Sequence, residues 1–168
     1  MKKELLSLAG EHRVASELCK RGIFATITPG NRKQTDIYAI NDDTDRFCRI
    51  EVKTTQSSAF LTGINQRNKA GKAPEFWVLV LFTNGDERFF VLSNDEIVKL
   101  QKGETDKWQE GYRNRHPGKE YDMRTGVDKL PIRVVESSEN CWEKIQKAVG
   151  AKRSSESESS CEGQNGRA

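Results

Sequence analysis

Three acids and one lysine in the first third of the chain have the types and spacing that carboxylate and cation chemistry requires. Glu51 and Lys53 stand two residues apart in RIEVKTTQ, so on a strand they share one face, roughly 6.5 Å apart along it. Asp36 opens the preceding β-type run, TDIYAI, and the short connection would allow antiparallel pairing beside Glu51. Carboxylates that meet in this way repel one another, and a hard divalent cation relieves that repulsion.

Helical periodicity places a third acid, Glu11. At about 100° per residue, with Leu8 at zero, Ala15 lies near −20° and Leu18 near −80°. Glu11 falls at about −60°, inside this apolar stripe. A carboxylate on a buried stripe is costly unless it is neutralised or bound. We therefore expect Glu11 to point at a site; the alternative is an ordinary boundary glutamate that pairs with an arginine.

These residues need a helix and two strands to position them, and the sequence predicts all three. A helix is expected over residues 3–21, where Gly10 weakens the middle and Gly22 supplies the stop. Short β-type segments follow over residues 23–28, 36–40 and 47–54. Alternation in the last segment places Glu51 and Lys53 on one face and Val52 on the opposite, core-facing side. By itself Glu-x-Lys is common on exposed strands, so the order of the elements carries more weight.

The rest of the chain predicts an α/β fold with few further site signals. We expect residues 57–74 to be mostly loop, 76–82 a buried strand, and 88–92 its return after Asn84-Gly85. A capping box at residues 93–96 predicts a helix to about residue 101. Residues 103–133 are polar, with Trp108, Tyr112, Tyr121 and Met123 as expected anchors. An amphipathic helix is expected over residues 138–149.

Composition limits the class of protein. The 168 residues fit one domain, expected over residues 1–150, with a Ser/Glu-rich tail at 151–168 that is predicted to be disordered. No apolar run approaches the roughly 20 residues of a membrane span, and the N-terminus is unlike a signal peptide, so a cytoplasmic location is expected. Four scattered cysteines predict no disulfide framework, and Cys19 and Cys48 fall on expected core faces. The net charge of +3 is compatible with a polyanionic partner.

The segments GEHRVASEL, TDIYAI and RIEVKTTQ together resemble the core of the PD-(D/E)XK nuclease superfamily, from Gly10 to Gln56. Thr35 stands where the name of the motif has proline. Resolvase-like and small restriction-endonuclease-like members are the most similar. The resemblance implies a restriction-endonuclease-like core, with a mixed central β-sheet flanked by helices.

The resemblance also implies roles for the site residues. Asp36, Glu51 and the backbone carbonyl of Val52 would bind Mg²⁺, with Mn²⁺ as a substitute, and Glu11 would act through an intervening water. Lys53 would orient or deprotonate the attacking water and stabilise charge on the phosphoryl group. Gln56 resembles a polar residue that some members place beside the metal, or it is an ordinary residue at the end of a strand.

The implied activity is endonucleolytic hydrolysis of DNA, of restriction, resolvase or repair type, with a homodimer expected for cutting both strands. Two alternatives stay open: a DNA-binding or assembly module that has lost cleavage, and a nuclease for RNA or branched DNA. His12 and His116 lack the spacing of a zinc site or a catalytic triad, and no phosphate-binding glycine motif is present. Basic residues that could contact phosphates, or could be solvated loop residues, are Arg32, Lys33, Arg67, Lys69, Lys72, Arg113, Arg115, Lys119 and Arg124.

Overall fold

A computed structural model describes residues 2–28, 35–64, 73–119 and 128–151 of the chain. The elements follow in the order α1 (Lys3–Lys20), β1 (Phe24–Ile27), β2 (Ile37–Asn41), β3 (Arg46–Thr55), β4 (Ala59–Leu61), β5 (Phe76–Phe82), β6 (Glu87–Ser93), α2 (Asn94–Arg115), β7 (Lys129–Pro131), two short 3₁₀ turns (Ile132–Val134 and Glu136–Ser138) and α3 (Glu143–Val149). The mixed α/β class predicted from the sequence is confirmed.

Five strands form a mixed central sheet in the order β1-β2-β3-β5-β6. Neighbours that follow each other closely in sequence pair antiparallel, whereas β3 and β5 pair in parallel. The parallel pair lies in the middle of the sheet, and five consecutive residues of β5 are buried. This burial explains the unbroken apolar run FWVLVLF, because a central strand is covered on both faces.

Each face of the sheet carries its own apolar core. On one face, α1 and α3 cover the side chains of β3 that the alternation assigned to the core, including Ile50 and Val52. On the other face, α2 and the small β4–β7 sheet cover Trp77, Leu79 and Leu81. Strand alternation therefore decides which face of the sheet each side chain of β3 reaches.

The buried face of α1 differs from the predicted apolar stripe. Its fully buried residues are Gly10, Val14 and Leu18, whereas Leu8 is 46% exposed. Cys19, expected in the core, is exposed as well, although Cys48 is buried. The helix is rotated so that Gly10 faces the sheet, and the absence of a side chain there allows a close contact with β3.

Several elements differ in extent from the prediction. Helix α2 continues past residue 101 to Arg115, because Gly103 and Gly111 both keep negative φ angles and do not stop it. The expected loop at 57–74 contains β4, whose partner β7 lies about seventy residues later in the chain. The closing helix α3 begins at Glu143, after the 3₁₀ turns.

Other expectations have mixed outcomes. Trp77 and Trp142 are buried core residues, but Trp108 is 45% exposed and does not anchor its segment in the core. Tyr121, Met123 and the tail from residue 152 lie outside the described residues. None of the helices that the structure describes is both long and apolar enough to cross a membrane.

Candidate active site

The candidate site forms where β2 separates from β3. The last residue pair between these strands is Ile37 with Ile50, whereas β3 continues to pair with β5 as far as Thr55. The edge of β3 beyond Ile50 is therefore open on the β2 side among the described residues. Polar groups can reach the backbone there without displacing a strand.

Asp36 occupies this opening. It lies in a bend directly before β2, so it precedes the strand that it was expected to open. Its backbone N–H donates to the carbonyl of Ile50 at 3.0 Å, and its carboxylate accepts a hydrogen bond from the N–H of Val52 at 2.8 Å. The side chain thus takes the place of the missing ladder partner and is held against β3.

Glu51 and Lys53 share one face of β3, as the alternation predicts, and lie beside Trp77 and Leu79 of β5 in the parallel register. Glu51 is fully buried. The Lys53 ammonium forms an ion pair with Glu51 and donates to the carbonyl of Val52 at 3.1 Å. It lies 5.9 Å from the centroid of the Trp77 ring. A buried carboxylate requires such a cation, because an unpaired charge in the core is very costly.

Glu11 reaches the site from α1. It is half-buried and lies at the edge of the buried helix face, next to Gly10. Burial raises the pKa of Glu11, and the nearby charge of Glu51 adds to the rise, while Lys53 and a hydrogen bond with Ser7 oppose it. The carboxylate of Glu11 therefore interacts electrostatically with the strand residues from another element.

The carboxyl group of Asp36 has the largest shift among these acids. Burial raises its pKa to about 6, and the negative charge of Glu51 contributes to the same direction. Lys53 and the Val52 N–H lower the pKa but do not cancel the rise. Within the part of the chain that the structure describes, two carboxylates thus lie in one small region with the Lys53 ammonium group. An additional cation would stabilise this arrangement.

The donor set fits a hard divalent cation. Among the described residues, no group of three or more His, Cys, Asp or Glu side chains is arranged to hold a metal ion. In place of three converging carboxylates there is the pair Asp36 and Glu51, while Glu11 acts through its charge. The Val52 carbonyl lies near them, bonded to Lys53. Lys53 contacts two of the three expected ligands. These oxygen donors already attract a cation, and all-oxygen sites with one or two carboxylates suit Mg²⁺.

A close helix–strand contact holds Glu11 in position, and the sequence prediction missed it. A Cβ atom on Gly10 would collide with Thr54 Oγ1, so a larger residue requires the Thr54 side chain or the helix to shift. The only sequence signal was a glycine inside a helix, directly before the candidate acid. The sequence indicates that Gly10 weakens the middle of α1, whereas the structure shows that it packs against β3.

The remaining predicted site residues are not drawn into the carboxylate cluster. Gln56 is exposed just after β3, and its side chain makes no hydrogen bond within the part of the chain that the structure describes. Arg113 and Arg115 are exposed in the last turn of α2, with Lys119 shortly after it. The other candidate phosphate contacts lie outside the described residues; these are Arg32, Lys33, Arg67, Lys69, Lys72 and Arg124.

Solved structures provide the comparison for this arrangement. A bacterial homing endonuclease superposes with a TM-score of 0.54 over 89% of this chain and 96% of its own, at 16% sequence identity. The chain has the restriction-endonuclease-like fold. The Holliday junction resolvase of Archaeoglobus fulgidus, an archaeal hyperthermophile, matches over 77% of this chain and 86% of its own, with a TM-score of 0.42 and 15% identity. No family model and no curated protein sequence matches the chain.

The restriction-endonuclease-like fold confirms the resemblance predicted from the sequence at the level of architecture. At this low identity the likeness shows the fold alone. The chemical properties of the residues around the start of β2 are therefore the basis for any assignment of activity.

Proposed function

We propose that this protein is a metal-dependent nuclease that hydrolyses DNA phosphodiester bonds. The observation that carries the proposal is the pairing of Asp36 with Glu51 at the open edge of β3, where burial and mutual repulsion raise the pKa of Asp36 to about 6. Two acids and a lysine at a strand edge match the requirements of phosphoryl transfer, in which positioning and charge stabilisation do most of the work.

The proposed metal ligands are the Asp36 and Glu51 carboxylates and the Val52 carbonyl, with Glu11 contributing through water. Mg²⁺ or Mn²⁺, when bound there, would supply Lewis-acid stabilisation of phosphate oxygens and a lower pKa for a coordinated water. The contacts of Lys53 indicate how the negative charge of the site is partly balanced without a metal, because its ammonium group bonds to Glu51 and to the Val52 carbonyl.

Lys53 has a second proposed role toward the substrate. A lysine ammonium has three N–H donors, and two of these already meet Glu51 and the Val52 carbonyl. The third can donate to a phosphate oxygen, where negative charge develops as the attacking water bonds to phosphorus. The bond from phosphorus to the leaving sugar oxygen breaks on the opposite side.

Glu11 is placed to orient the attacking water. Its carboxylate is partly buried, lies within electrostatic range of Lys53, and is held by the packing of Gly10 on β3. We assign it the task of accepting a hydrogen bond from that water, so that the water reaches phosphorus in a fixed direction. Arg113, Arg115 and Lys119 are proposed contacts to the DNA backbone.

The test compares the purified wild-type chain with Asp36→Ala and Arg88→Ala. Arg88 pairs with Glu139 on β6, away from the site, and serves as the control. Plasmid, linear duplex, single-stranded and four-way-junction DNA, together with an RNA of the same sequence, are incubated with Mg²⁺, Mn²⁺ or EDTA. We expect cleavage of DNA by the wild type and the Arg88 variant in the presence of metal only, and none by Asp36→Ala.

Each other outcome has a defined meaning. Equal cleavage by Asp36→Ala would refute the site assignment. Binding without cleavage in either metal would show a DNA-binding module that has kept the fold, and cleavage restricted to RNA would identify a ribonuclease. A homodimer for cutting both strands is tested by the sedimentation of the DNA complex.

A further inference from the structure

The two ends of α2 have different surroundings. Its start is fixed by a capping box, in which the Ser93 hydroxyl and Glu96 bond to each other's backbone N–H. The buried residues of α2 are Ile97 and Gln101, both in its first half, and Gln101 bonds to Thr62 at 3.0 Å. The second half, from residue 107, has no fully buried residue.

The second half of α2 carries a row of rings. Trp108 and Tyr112 are stacked with ring centroids 5.6 Å apart and planes 20° apart. Tyr112 in turn meets His116 with centroids 4.6 Å apart. A spacing of four residues places successive side chains on one side of a helix. Trp108 is 45% exposed, in contrast to the buried Trp77 and Trp142.

The charge of α2 also changes along its length. Residues 94–106 carry four acidic and two basic side chains, whereas residues 107–119 carry one acidic and four basic side chains. The cations of the second group are Lys107, Arg113, Arg115 and Lys119, and its acid is Glu110. The exposed half of the helix is therefore the positive half.

Most of the arginines that the structure describes form ion pairs, but Arg113 and Arg115 in the second half of α2 form none with another described residue. Five of the eight arginines in the described ranges form an ion pair with a glutamate; these are Arg13, Arg21, Arg49, Arg88 and Arg133. Arg113 and Arg115 make no ion pair with any residue that the structure describes, and Arg46 is the third such arginine. Two exposed guanidinium groups without an ion pair to the described residues thus lie on the helix segment that carries the ring row.

We infer that Trp108, Tyr112, Arg113, Arg115 and His116, which we call the ring–arginine surface, bind unpaired nucleotides of a nucleic acid. This inference rests on the proposed nuclease function and specifies its substrate as DNA with a single-stranded segment. Aromatic side chains stack on exposed bases, and arginine adds phosphate contacts and cation–π contacts. A regular duplex hides the faces of its bases and would use only the cations.

The composition of the surface favours nucleic acid over a protein partner. Protein interfaces are enriched in Tyr, Trp and Arg but depleted in Lys, whereas here Lys107 and Lys119 flank the rings, and residues 107–119 carry four basic side chains against one acid. The exposed face of the β1–β3 strands provides the contrast, since Phe24 and Phe47 are 56% and 64% exposed. These strands have exposed apolar side chains as well, but their one arginine without an ion pair among the described residues, Arg46, points to the face opposite Phe47.

The test measures binding by the full-length chain in EDTA, where cleavage cannot occur. Fluorescence anisotropy of end-labelled probes measures the affinity of every variant. Trp108 is the one exposed tryptophan of three, so quenching of tryptophan fluorescence in the wild type reports on this surface. The probes are a single-stranded oligodeoxynucleotide, a gapped duplex and a blunt duplex of one sequence. The variants are Trp108→Leu and Arg113→Gln with Arg115→Gln. Arg46→Gln with Phe47→Leu is the matched control.

We expect Trp108→Leu to weaken binding of the single-stranded and gapped probes about tenfold, with little change for the blunt duplex. The double arginine variant should weaken binding of every probe and lower the slope of log affinity against log salt for the single strand by about 1.4. The control should bind as the wild type does. Helix content and thermal unfolding of each variant show that lost binding is not lost folding, and the arginine variant gives a second reading if Trp108→Leu unfolds.

Two results would overturn the inference. One is equal affinity for all probes with unchanged binding by Trp108→Leu. The other is fluorescence quenching that depends on protein concentration without nucleic acid, which would make the surface a contact between copies of the chain. The proposed function can fail while this inference holds. If the chain binds single strands through Trp108 but cleaves no DNA in the presence of metal, it is a binding protein and not a nuclease.

Discussion

The acids around the start of β2 and the acids at the periphery of this protein have opposite electrostatic environments. At the periphery, hydrogen bonds from Arg88 lower the pKa of Glu139, and Arg49 likewise outweighs burial and lowers the pKa of Glu75. Around the start of β2, burial raises the pKa of Asp36 and of Glu11. Both regions are rich in charge, but Glu139 and Glu75 each form an ion pair with an arginine, whereas the described cation that lowers the pKa of Asp36 is the Lys53 ammonium.

This difference indicates that the fold keeps two mutually repelling carboxylates close together at the candidate site. A peripheral ion pair is satisfied within the protein, whereas Asp36 and Glu51 both lie close to Lys53 among the described residues. Clusters of like charge that lack enough counter-charge occur at functional sites, where a ligand supplies the missing charge. Variants at the candidate site should therefore have larger effects on activity than variants at the periphery.

Glu51→Gln should abolish most of the cleavage activity, by at least about a hundredfold, because it removes a metal-binding charge while keeping the shape of the side chain. The measurement is the initial rate of plasmid nicking in Mg²⁺. Glu139→Gln is the matched control, and its rate should stay within about twofold of the wild type. Equal losses in the two variants would remove the distinction between the regions.

Gly10→Ala should lower both stability and activity. The added methyl group would collide with Thr54 Oγ1, and overpacking of this kind costs about 1–3 kcal/mol. The displaced helix would also carry Glu11 away from Lys53. Urea unfolding and cleavage rates measure the two effects.

Two further variants test the cause of the Gly10→Ala effect. Thr54→Ala in the same chain should restore most of both losses, because Thr54 Oγ1 makes no hydrogen bond to the described residues that would be missed. Gly103→Ala, in α2, has open space around it and should stabilise the helix by about 0.5–1 kcal/mol. If Gly10→Ala behaves as Gly103→Ala does, the close contact does not position Glu11.

Asp36→Asn should stabilise the protein at neutral pH while removing activity. The folded-state pKa of about 6 lies above the ordinary 3.8, so the proton favours folding. This stability is fully present below pH 3.8 and is lost as the pH rises through 6. The difference in pKa corresponds to at most about 3 kcal/mol. Urea unfolding from pH 4 to 8 in EDTA should show the loss in the wild type and not in the variant.

Added Mg²⁺ provides the control for this stability difference. It should stabilise the wild type at pH 8 and leave Asp36→Asn nearly unchanged, because a ligand stabilises only the state that binds it. A variant that is less stable than the wild type at pH 8 without metal would contradict the assignment of unrelieved repulsion at Asp36.

Glu139→Gln should have the smallest effect and the opposite sign. Hydrogen bonds from Arg88 lower the pKa of Glu139, so its stabilisation is present above the ordinary pKa and disappears as the pH falls through the lowered one. The pair is partly exposed, and removal of its charge should cost no more than about 1 kcal/mol at pH 7. Unfolding curves at pH 7 and pH 3 measure it, and a gain in stability at pH 7 would contradict the pairing.

Much of the fold could be predicted because its signals are local. The alternation in β3 placed Glu51 and Lys53 on one face, and the unbroken apolar run of β5 indicated a buried strand. The pairing of β4 with β7 could not be predicted, since each has three residues and the partners are far apart in the chain. The rotation of α1 was also missed, because its helical wheel alone does not show which neighbour it meets.

The sequence by itself determined the identity and order of the candidate catalytic residues, from Glu11 through Asp36 to Glu51 and Lys53. It could do so because spacing along a helix or strand fixes the direction of a side chain. Only the tertiary structure decided that the first residue of β2 lies opposite Ile50, so that the Asp36 carboxylate just before β2 accepts a hydrogen bond from the Val52 N–H. Likewise, only the packing of α1 on β3 decided that residue 10 must be glycine. Strand pairing and helix contacts join residues distant in sequence, and no local pattern encodes those distances.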